Sequence, residues 1–435
     1  MRHRILRRSG CIVRCPRQKA VLRQLRKNTA KNRQVEDKVY IMEYNPGLLD
    51  KFRLNIDQLN EIADTLCQRI KTGLTQDGQE IRAIPAYLAP PPEGLHGQAL
   101  IVDIGGTNIR AAIVELDPDG SHKILTGPIR ATVPAGRQGE SITAEEFFDA
   151  QARLALQLNP SPNLPVGYCF SYSAQSTPDA DARLINWTKD VHIDGVVGNL
   201  VGKMLSEAMI RRGYHPGKVT VLNDTVAALL AGAGAHADKY DYYIGLIAGT
   251  GTNMAGFVSS GSNNKLSRLD WHEESMAVNL ESGNFTPPYL NQYDEMLDES
   301  MDMPGRQRFE KALAGYYLPF IYAKANPEAE KFDPYGGTGL LARLRDEEHD
   351  ELAEVIMTRS GNLIAAGLAG FIKALGDKGR VCITAEGSRY WADPLLAPQV
   401  AGILPKLTGP NLSFSIVKVE DANILGSAYA ALARA

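Results

Sequence analysis

The sequence is poor in long hydrophobic runs. Although 44% of its 435 residues are hydrophobic, no run approaches the ~18 uncharged residues of a membrane-spanning helix. The expectation is a globular protein of two or three domains without a membrane span. Cysteine is scarce: five residues, at 11, 15, 67, 169 and 382, odd in number and mostly isolated. That argues against a disulfide framework and for reduced thiols in a cytoplasmic compartment. Only Cys11 and Cys15 lie close together, and no second pair or histidine cluster completes a zinc site. Several nucleotide signatures are also missing. There is no GxxxxGK[ST], no HRD or DFG, and "GTGTNMAG" carries Met254 where GxGxxG requires glycine, which disfavours Walker-type NTPases, protein kinases and dinucleotide-binding dehydrogenases.

What is present begins with charge. The net charge of -3 hides an asymmetry, because residues 1 to 38 hold 13 Lys/Arg against only Glu36 and Asp37. A basic tail on an acidic body suits a polyanion arm, a targeting segment or a dispensable extension. The last is favoured, because Met42 directly precedes the first amphipathic pattern and the tail has little apolar periodicity. Residues 1–41 are accordingly set apart from the fold. No nucleic-acid partner is expected.

Beyond residue 45, apolar runs such as "ALIVDIG", "RAAIVEL", "KVTVLND", "YYIGLIAG" and "RVCITAEG" alternate with helical patterns such as "TAEEFFDAQARLALQL" and "DTVAALLAGAGAHA". Such alternation predicts an α/β protein. One internal echo stands out: "LIVDIGGTNIRAAIV" and "YIGLIAGTGTNMAGFV" share the plan strand, glycine turn ending in Gly-Thr-Asn, strand. Either a duplicated unit builds two domains facing a cleft, or two hairpins independently need glycine turns.

Glycine-rich hairpin turns let the backbone approach a ligand closely and adopt positive φ. They can aim N–H groups, together with the hydroxyls of Thr107 and Thr252, at one anion. A phosphate is the natural guest, with a plain hairpin as the alternative. Asp103, at the strand end beside the first turn, stands where Mg²⁺ would be held, directly or through water. Without a cation it would be a costly charge on an apolar strand. Four further stretches are more polar than their settings need. They are "FSYSAQ" with Ser171, "LINWTKD" with Thr188 and Lys189, "VLNDTVAALLAG" with Asn223 and Asp224, and "AVNLESGNF" with Glu281. Asn223-Asp224 before an apolar helix reads on its own as an N-cap. Each group nevertheless lies at a predicted strand end or helix start, where α/β folds place ligands.

In these stretches the chain resembles the hexokinase family of the eukaryotic type, from about residue 45 to the C-terminus. "DIGGTNIR" is similar to the family's D-L-G-G-T-N-F-R, "GYCFSYSAQ" to G-F-T-F-S-F-P, "LINWTKD" to L-x-N-W-T-K-G, "VLNDTVAALLAG" to V-N-D-T-V-G-T-L-M, and "YIGLIAGTGTNM" to I-G-L-I-V-G-T-G-T-N-A. The resemblance implies a two-lobed actin-like, ribonuclease H-like ATPase fold of the hexokinase type with an interlobe cleft. On that reading, 97–221 plus 425–435 form the small α/β domain and 42–96 plus 222–424 the large one.

The implied activity is phosphorylation of a hexose at its C6 hydroxyl by ATP with Mg²⁺, by a monomer or homodimer. The sugar side implied is Ser171, Thr188, Lys189, Asn223, Asp224, Asn253 and Glu281, with Asp224 as base and Lys189 stabilising charge. The nucleotide side implied is Asp103, Gly105, Gly106, Thr107, Asn108, Gly249, Thr250 and Gly251, with Gly387 and Ser388 near the adenosine. A carboxylate of ordinary pKa, ~4, is a weak base for an alcohol. Orientation and late proton acceptance are therefore the roles expected of the catalytic base, with positioning and charge stabilisation providing most of the acceleration.

Departures from the family pattern set further expectations. "AGYYLPF" puts Pro319 and Phe320 at the last glycine and glutamate of S-G-M-Y-L-G-E, so the sugar site is expected to lack one acceptor and to prefer a different hexose or bind glucose weakly. Glu386 stands where the family has aspartate, and "EDANILGSAYAALA" departs from its glycine-rich ending. A catalytically weak sugar sensor, or an actin-like ATPase that hydrolyses ATP without sugar, are the alternatives from other classes.

Overall fold

The chain is described by a computed structural model over residues 44–134, 142–187, 191, 193–237, 239–260, 264–326 and 332–435. The tail 1–41 and the candidates Thr188 and Lys189 lie outside the described residues. A short strand β1 (Ile84–Pro85) precedes the first large sheet, which contains β2 (Gly97–Ile104), β3 (Asn108–Leu116), β4 (His122–Thr132), β5 (Val166–Phe170) and β6 (Val219–Leu222). Its order is β6-β5-β2-β3-β4. The three strands β2, β3 and β4 run antiparallel, and β5 and β6 add parallel to β2. The second sheet holds β7 (Tyr242–Ala248), β8 (Thr252–Ser259), β9 (Ser275–Asn279), β10 (Gly379–Glu386) and β11 (Leu412–Val417). Its order is β1-β9-β8-β7-β10-β11, again with an antiparallel trio followed by two parallel strands.

The helices repeat the same plan. In the first half α1 (Ile56–Thr75) leads in, α2 (Ala144–Leu156) precedes β5, α3 (Val201–Arg211) precedes β6, and α4 (Asp224–Ala235) follows β6. In the second half α5 (Glu351–Leu375) precedes β10, α6 (Leu396–Ile403) precedes β11, and α7 (Ala422–Ala433) follows β11. The echo seen at two turns therefore extends through strand order and helix placement, which favours duplication over two unrelated hairpins.

Sequence explains where these helices begin and which face they hide. The side chain of Asn55 accepts the Gln58 N–H while Gln58 answers to the Asn55 N–H, closing a capping box at the start of α1. Thr143 and Glu146 do the same for α2. From α1, Leu59, Ile62, Leu66 and Ile70 recur at helical spacing and are fully buried against α5 and the second sheet. A helix α5 of 25 residues is long and apolar enough to cross a membrane, although charges interrupt its sequence; 83% of its most apolar window is buried inside the protein, making it a core helix.

Apolar nearly all round, α4 and α7 pack on each other between the two sheets. Residues Leu222, Val226, Leu230, Leu425 and Ala428 build a core of their own there. Glycines permit the approach: a methyl group at Gly426 would lie 1.9 Å from the Ala227 carbonyl oxygen, and one at Gly167 2.2 Å from that of Ser427. The consequence is positional. Both helices start at the sheet ends where polar residues gather, so Asp224 and Asn423 open onto a common cleft.

Candidate active site

The first glycine turn joins β2 to β3, where Ile104 pairs with Ile109 and four residues are left to turn the chain. The turn is closed by the Gly105 N–H donating to the Asn108 carbonyl at 3.0 Å. It is tied from outside by the Tyr172 hydroxyl, which donates to the Gly105 carbonyl at 2.8 Å. Positive φ is not the reason for its glycine, since Gly105, like Gly249 and Gly251, is absent from the left-handed region. A methyl group at Gly105 would meet nothing nearer than 3.9 Å within the chain. The turn instead leaves backbone uncovered, with Thr107 and Asn108 exposed.

A cleft of ≈ 400 Å³ opens over this turn, lined by Asp103, Gly105, Gly106, Thr107, Asn108, Ser171 and Asp224 together with Arg110, Arg130 and Asn423. Seven residues singled out from sequence thus share one wall. Asp103 is 4% exposed, and its counter-charge is internal: the Arg110 guanidinium reaches Oδ2 from Nε at 2.8 Å and from Nη2 at 2.6 Å. Arg110 also binds Asp421 Oδ1 at 3.0 Å. The sequence argument that Asp103 needs an external cation is therefore corrected, because Arg110, directly opposite it across the β2–β3 hairpin, already supplies one. Burial pushes the Asp103 carboxyl up, Arg110 and the Cys169 thiol oppose that, and Asp224 adds to it.

Asp224 is the first residue of α4. Asn223 caps the helix by accepting the Thr225 N–H at 2.9 Å, as its sequence context suggested. Asp224 Oδ1 accepts the same N–H at 2.8 Å and the Thr225 hydroxyl at 3.3 Å. Asn223 thus caps the helix while its neighbour Asp224 lines the cleft. Asp224 lies in the first turn, where the helix dipole favours an anion.

A second polar group gathers behind the second turn. Asn253 Nδ2 donates to Asn279 Oδ1 at 2.7 Å, and Asn279 Nδ2 donates to Glu281 Oε1 at 2.8 Å. Asn253 Oδ1 accepts the Ser282 N–H at 3.1 Å. Glu281 itself has φ of 55°, a left-handed conformation that a non-glycine residue adopts at a cost. Asn279 and Asn223 line one smaller cavity with Tyr172, which links this group to the cap beside Asp224.

The second turn, Gly249 to Gly251, does not line the larger cleft. A methyl group at Gly249 would sit 3.3 Å from the Gly387 Cα, and one at Gly387 2.5 Å from the Ala248 carbonyl oxygen. The two predicted nucleotide segments, 249–251 and 387–388, are in backbone contact. Thr252 offers no hydroxyl to an anion, since it donates to the Ile247 carbonyl at 3.0 Å.

Sequence reading passed over Arg110, Asn279 and, most consequentially, Glu310. On the helix Arg308–Leu313, Glu310 Oε2 accepts the Thr252 N–H at 2.9 Å. A methyl group at Gly251 would lie 2.7 Å from that oxygen, and one at Gly283 3.2 Å from the Glu310 Cβ. A carboxylate thus stands beside Glu281–Gly283, where an acceptor was expected to be lacking. Phe320 lies further on, in the helix Leu318–Ala325, with its ring against Tyr316 and Tyr335. The expectation that Phe320 leaves the sugar site one acceptor short is not favoured. The signal available in sequence was the acidic residue in "RFEKAL", ten positions before Phe320.

Comparison with known proteins follows the same lines. Two family models, both described as hexokinase, match residues 47–234 and residues 243–325 with 347–433. Hexokinase-1 of Schizosaccharomyces pombe is 26% identical over 443 residues, covering 89% of this chain and 90% of the relative. Hexokinase-2 of Candida albicans is 28% identical, covering 90% and 92%. A solved hexokinase from Schistosoma mansoni, complexed with glucose, superposes with a TM-score of 0.74 at 25% identity, covering 89% of this chain and 97% of that one.

Proposed function

The chain belongs to the hexokinase family, and from that premise we propose how its residues divide the phosphorylation of a hexose by ATP. The observation that carries the reading is the single cleft shared by Asp224, Ser171 and the Gly105–Asn108 turn. The acceptor is the sugar's C6 hydroxyl, which attacks the γ-phosphoryl group as Asp224 receives its proton, while the bond from that phosphorus to the β–γ bridging oxygen breaks and ADP leaves. Ser171, Asn223, Asn253 and Glu281 hold the hexose, joined by Glu310, and each sugar hydroxyl needs a donor and an acceptor that such groups provide. Thr188 and Lys189 complete that set. The amides of Gly106 and Thr107 face the phosphates while Gly105 and Asn108 close the turn behind them, and Gly249–Gly251 with Gly387 and Ser388 receive the rest of the nucleotide as the lobes close.

Magnesium fits the residues present. Asp103 and Asp224 line the same cleft as the phosphate turn, and among the described residues no group of three or more metal-binding side chains forms a dedicated cage. One or two carboxylates plus substrate phosphates are the usual environment of this ion. Asp103 would hold it through water, and its contribution when bound is to neutralise phosphate charge. Asp103 itself stays oriented by Arg110, and Asp224 by Thr225.

Orientation dominates the proposed catalysis. Holding attacking and reacting atoms together in a near-attack geometry supplies as much as ~7–11 kcal/mol in well-oriented systems. Closure excludes water, which competes with the hexose hydroxyl as acceptor. The same reading draws the small lobe at 97–221 plus 425–435 and the large lobe at 42–96 plus 222–424, working as monomer or homodimer. A reducing, cytoplasmic compartment is supported by the free buried thiols of Cys67, Cys169 and Cys382.

The test is a series with purified protein, Mg²⁺ and ATP, and glucose, mannose, fructose, glucosamine or no sugar, in which ADP and sugar phosphate are read separately. Equal molar ADP and hexose 6-phosphate, with little ADP in the sugar-free tube, is expected. ADP formed at the same rate without sugar would identify an ATPase, and sugar binding without either product a sensor.

A further inference from the structure

Beside the second turn the protein carries an aromatic surface that none of the assigned roles uses. The Gly315 and Tyr316 N–H groups donate to the carbonyls of Gly249 and Thr250 at 2.8 and 3.1 Å. The segment after the helix Arg308–Leu313 is therefore bonded directly to the turn. From there Tyr316 packs on Phe320 with ring centroids 5.4 Å apart, and Phe320 on Tyr335 at 5.2 Å. Large rings in contact usually hide one another, yet here Tyr316 is 42% and Tyr335 78% exposed. The result is a continuous ring surface whose inner end touches the turn.

The backbone beneath it is stripped of side chains. A methyl group at Gly315 would lie 2.7 Å from the Gly249 carbonyl oxygen and 3.2 Å from the Arg389 Cδ. Gly387 presses on the same turn from Gly249's other neighbours. These glycines let Gly315 and Gly387 pack directly against the turn, with Gly249 and Gly315 themselves buried, and so hold the exposed rings at its edge. Exposed rings suit a flat heterocycle.

We propose that Tyr316, Phe320 and Tyr335 form a stacking platform for the purine of the phosphoryl donor, resting on the reading of Gly249–Gly251 as part of the nucleotide site. Stacking on aromatic rings tolerates any base, because every base presents a π-face. The platform therefore strengthens nucleotide binding without selecting adenine sharply, and GTP or ITP serves as donor with a KM within about tenfold of that for ATP. A sugar ring also stacks on aromatics. The hexose groups Ser171 and Asp224, however, line the cleft over the first turn, and Glu310 meets the second hairpin at Thr252. Tyr316 instead is bonded through its backbone N–H to Thr250 of the donor turn and carries the other two rings with it.

The experiment compares wild type with Tyr335→Ser and Tyr316→Leu, and with the ring-preserving Tyr335→Phe and Tyr316→Phe. Steady-state KM is measured for ATP and for the hexose, and inhibition against ATP is measured with inorganic tripolyphosphate, which has phosphates and no base. The ring-deleting variants are expected to raise the KM for ATP about tenfold, with hexose KM and tripolyphosphate inhibition unmoved and the phenylalanine variants close to wild type. A rise in hexose KM instead, or equal weakening of ATP and tripolyphosphate, overturns the platform, as does an unchanged KM for ATP in both ring-deleting variants. Tyr335 is so exposed that its replacement leaves folding intact, so the result stays readable even if Tyr316→Leu folds poorly. Failure of wild type to phosphorylate any hexose would strike the functional reading instead.

Discussion

Removing the Arg110 guanidinium isolates the buried charge of Asp103 beside the first glycine turn. In Arg110→Met, Asp103 loses contacts of 2.6 and 2.8 Å, while its side chain stays 6% exposed in the present structure and Arg110's only 22%. Breaking a buried pair by deleting one partner costs ~3–5 kcal/mol, because the other charge is left without compensation. Asp224 in the same cleft makes matters worse, since it already pushes the Asp103 carboxyl up. The protein's escape is to protonate Asp103. A folded-state pKa raised above the unfolded value means that stability is retained at low pH and lost as pH rises through the folded value, by ~1.4 kcal/mol per unit. Urea unfolding at pH 8 is therefore expected to show a loss of ~3–5 kcal/mol that shrinks markedly by pH 5.5. Arg110→Met with Asp103→Asn is expected to recover ~2 kcal/mol or more of that loss, since no charge remains to strand. A loss under ~1 kcal/mol at pH 8 with no pH dependence, or a double variant no better than the single, would refute the charge accounting.

Three other outcomes follow from the site. Glu310→Ala deletes the acceptor at the Thr252 N–H and is expected to raise hexose KM about tenfold; an unchanged hexose KM would remove Glu310 from the sugar site. Thr107→Val, at an exposed position of the cleft, is expected to raise the KM for ATP about five- to tenfold with hexose KM constant, and equal loss of both would contradict the division between the two sides. Glu386, pushed up by burial to about 7 against the opposing pull of Arg110 and Lys418, adds stability below pH 4.5 that is lost as pH climbs toward 7. Glu386→Gln is expected to flatten the fall in urea midpoint across that window, and an unaltered slope would show that Glu386 titrates normally.

Sequence carried most of the fold because period and punctuation agreed with the tertiary structure. Asn223 caps the helix that its context announced, and strands alternating with helices delivered two mixed sheets. The cleft was legible where its residues lie in one short turn, as Asp103 to Asn108 do, or at the start of an apolar helix, as Asp224 does. Partners distant in the chain were harder to read. Asp421 meets Arg110 across 311 positions and Glu310 meets Thr252 across 58, and no local pattern joins such residues. The expectation at Phe320 has the same origin: counting along a motif located a missing acidic residue, whereas folding sets a different one, Glu310, beside Thr252 and Gly283. Thr252 misled for a local reason, since the hydroxyl at a strand start satisfied its own hairpin before any ligand.

Central to the account is one carboxylate that receives a proton from the sugar while other groups hold the sugar in place. The direct measurement is Asp224→Ala, assayed for hexose 6-phosphate formation and, separately, for hexose binding by calorimetry. The account predicts turnover lowered by at least about a hundredfold, with the hexose dissociation constant within about tenfold of wild type. Phosphorylation at the wild-type rate, or loss of turnover explained wholly by loss of binding, would contradict it.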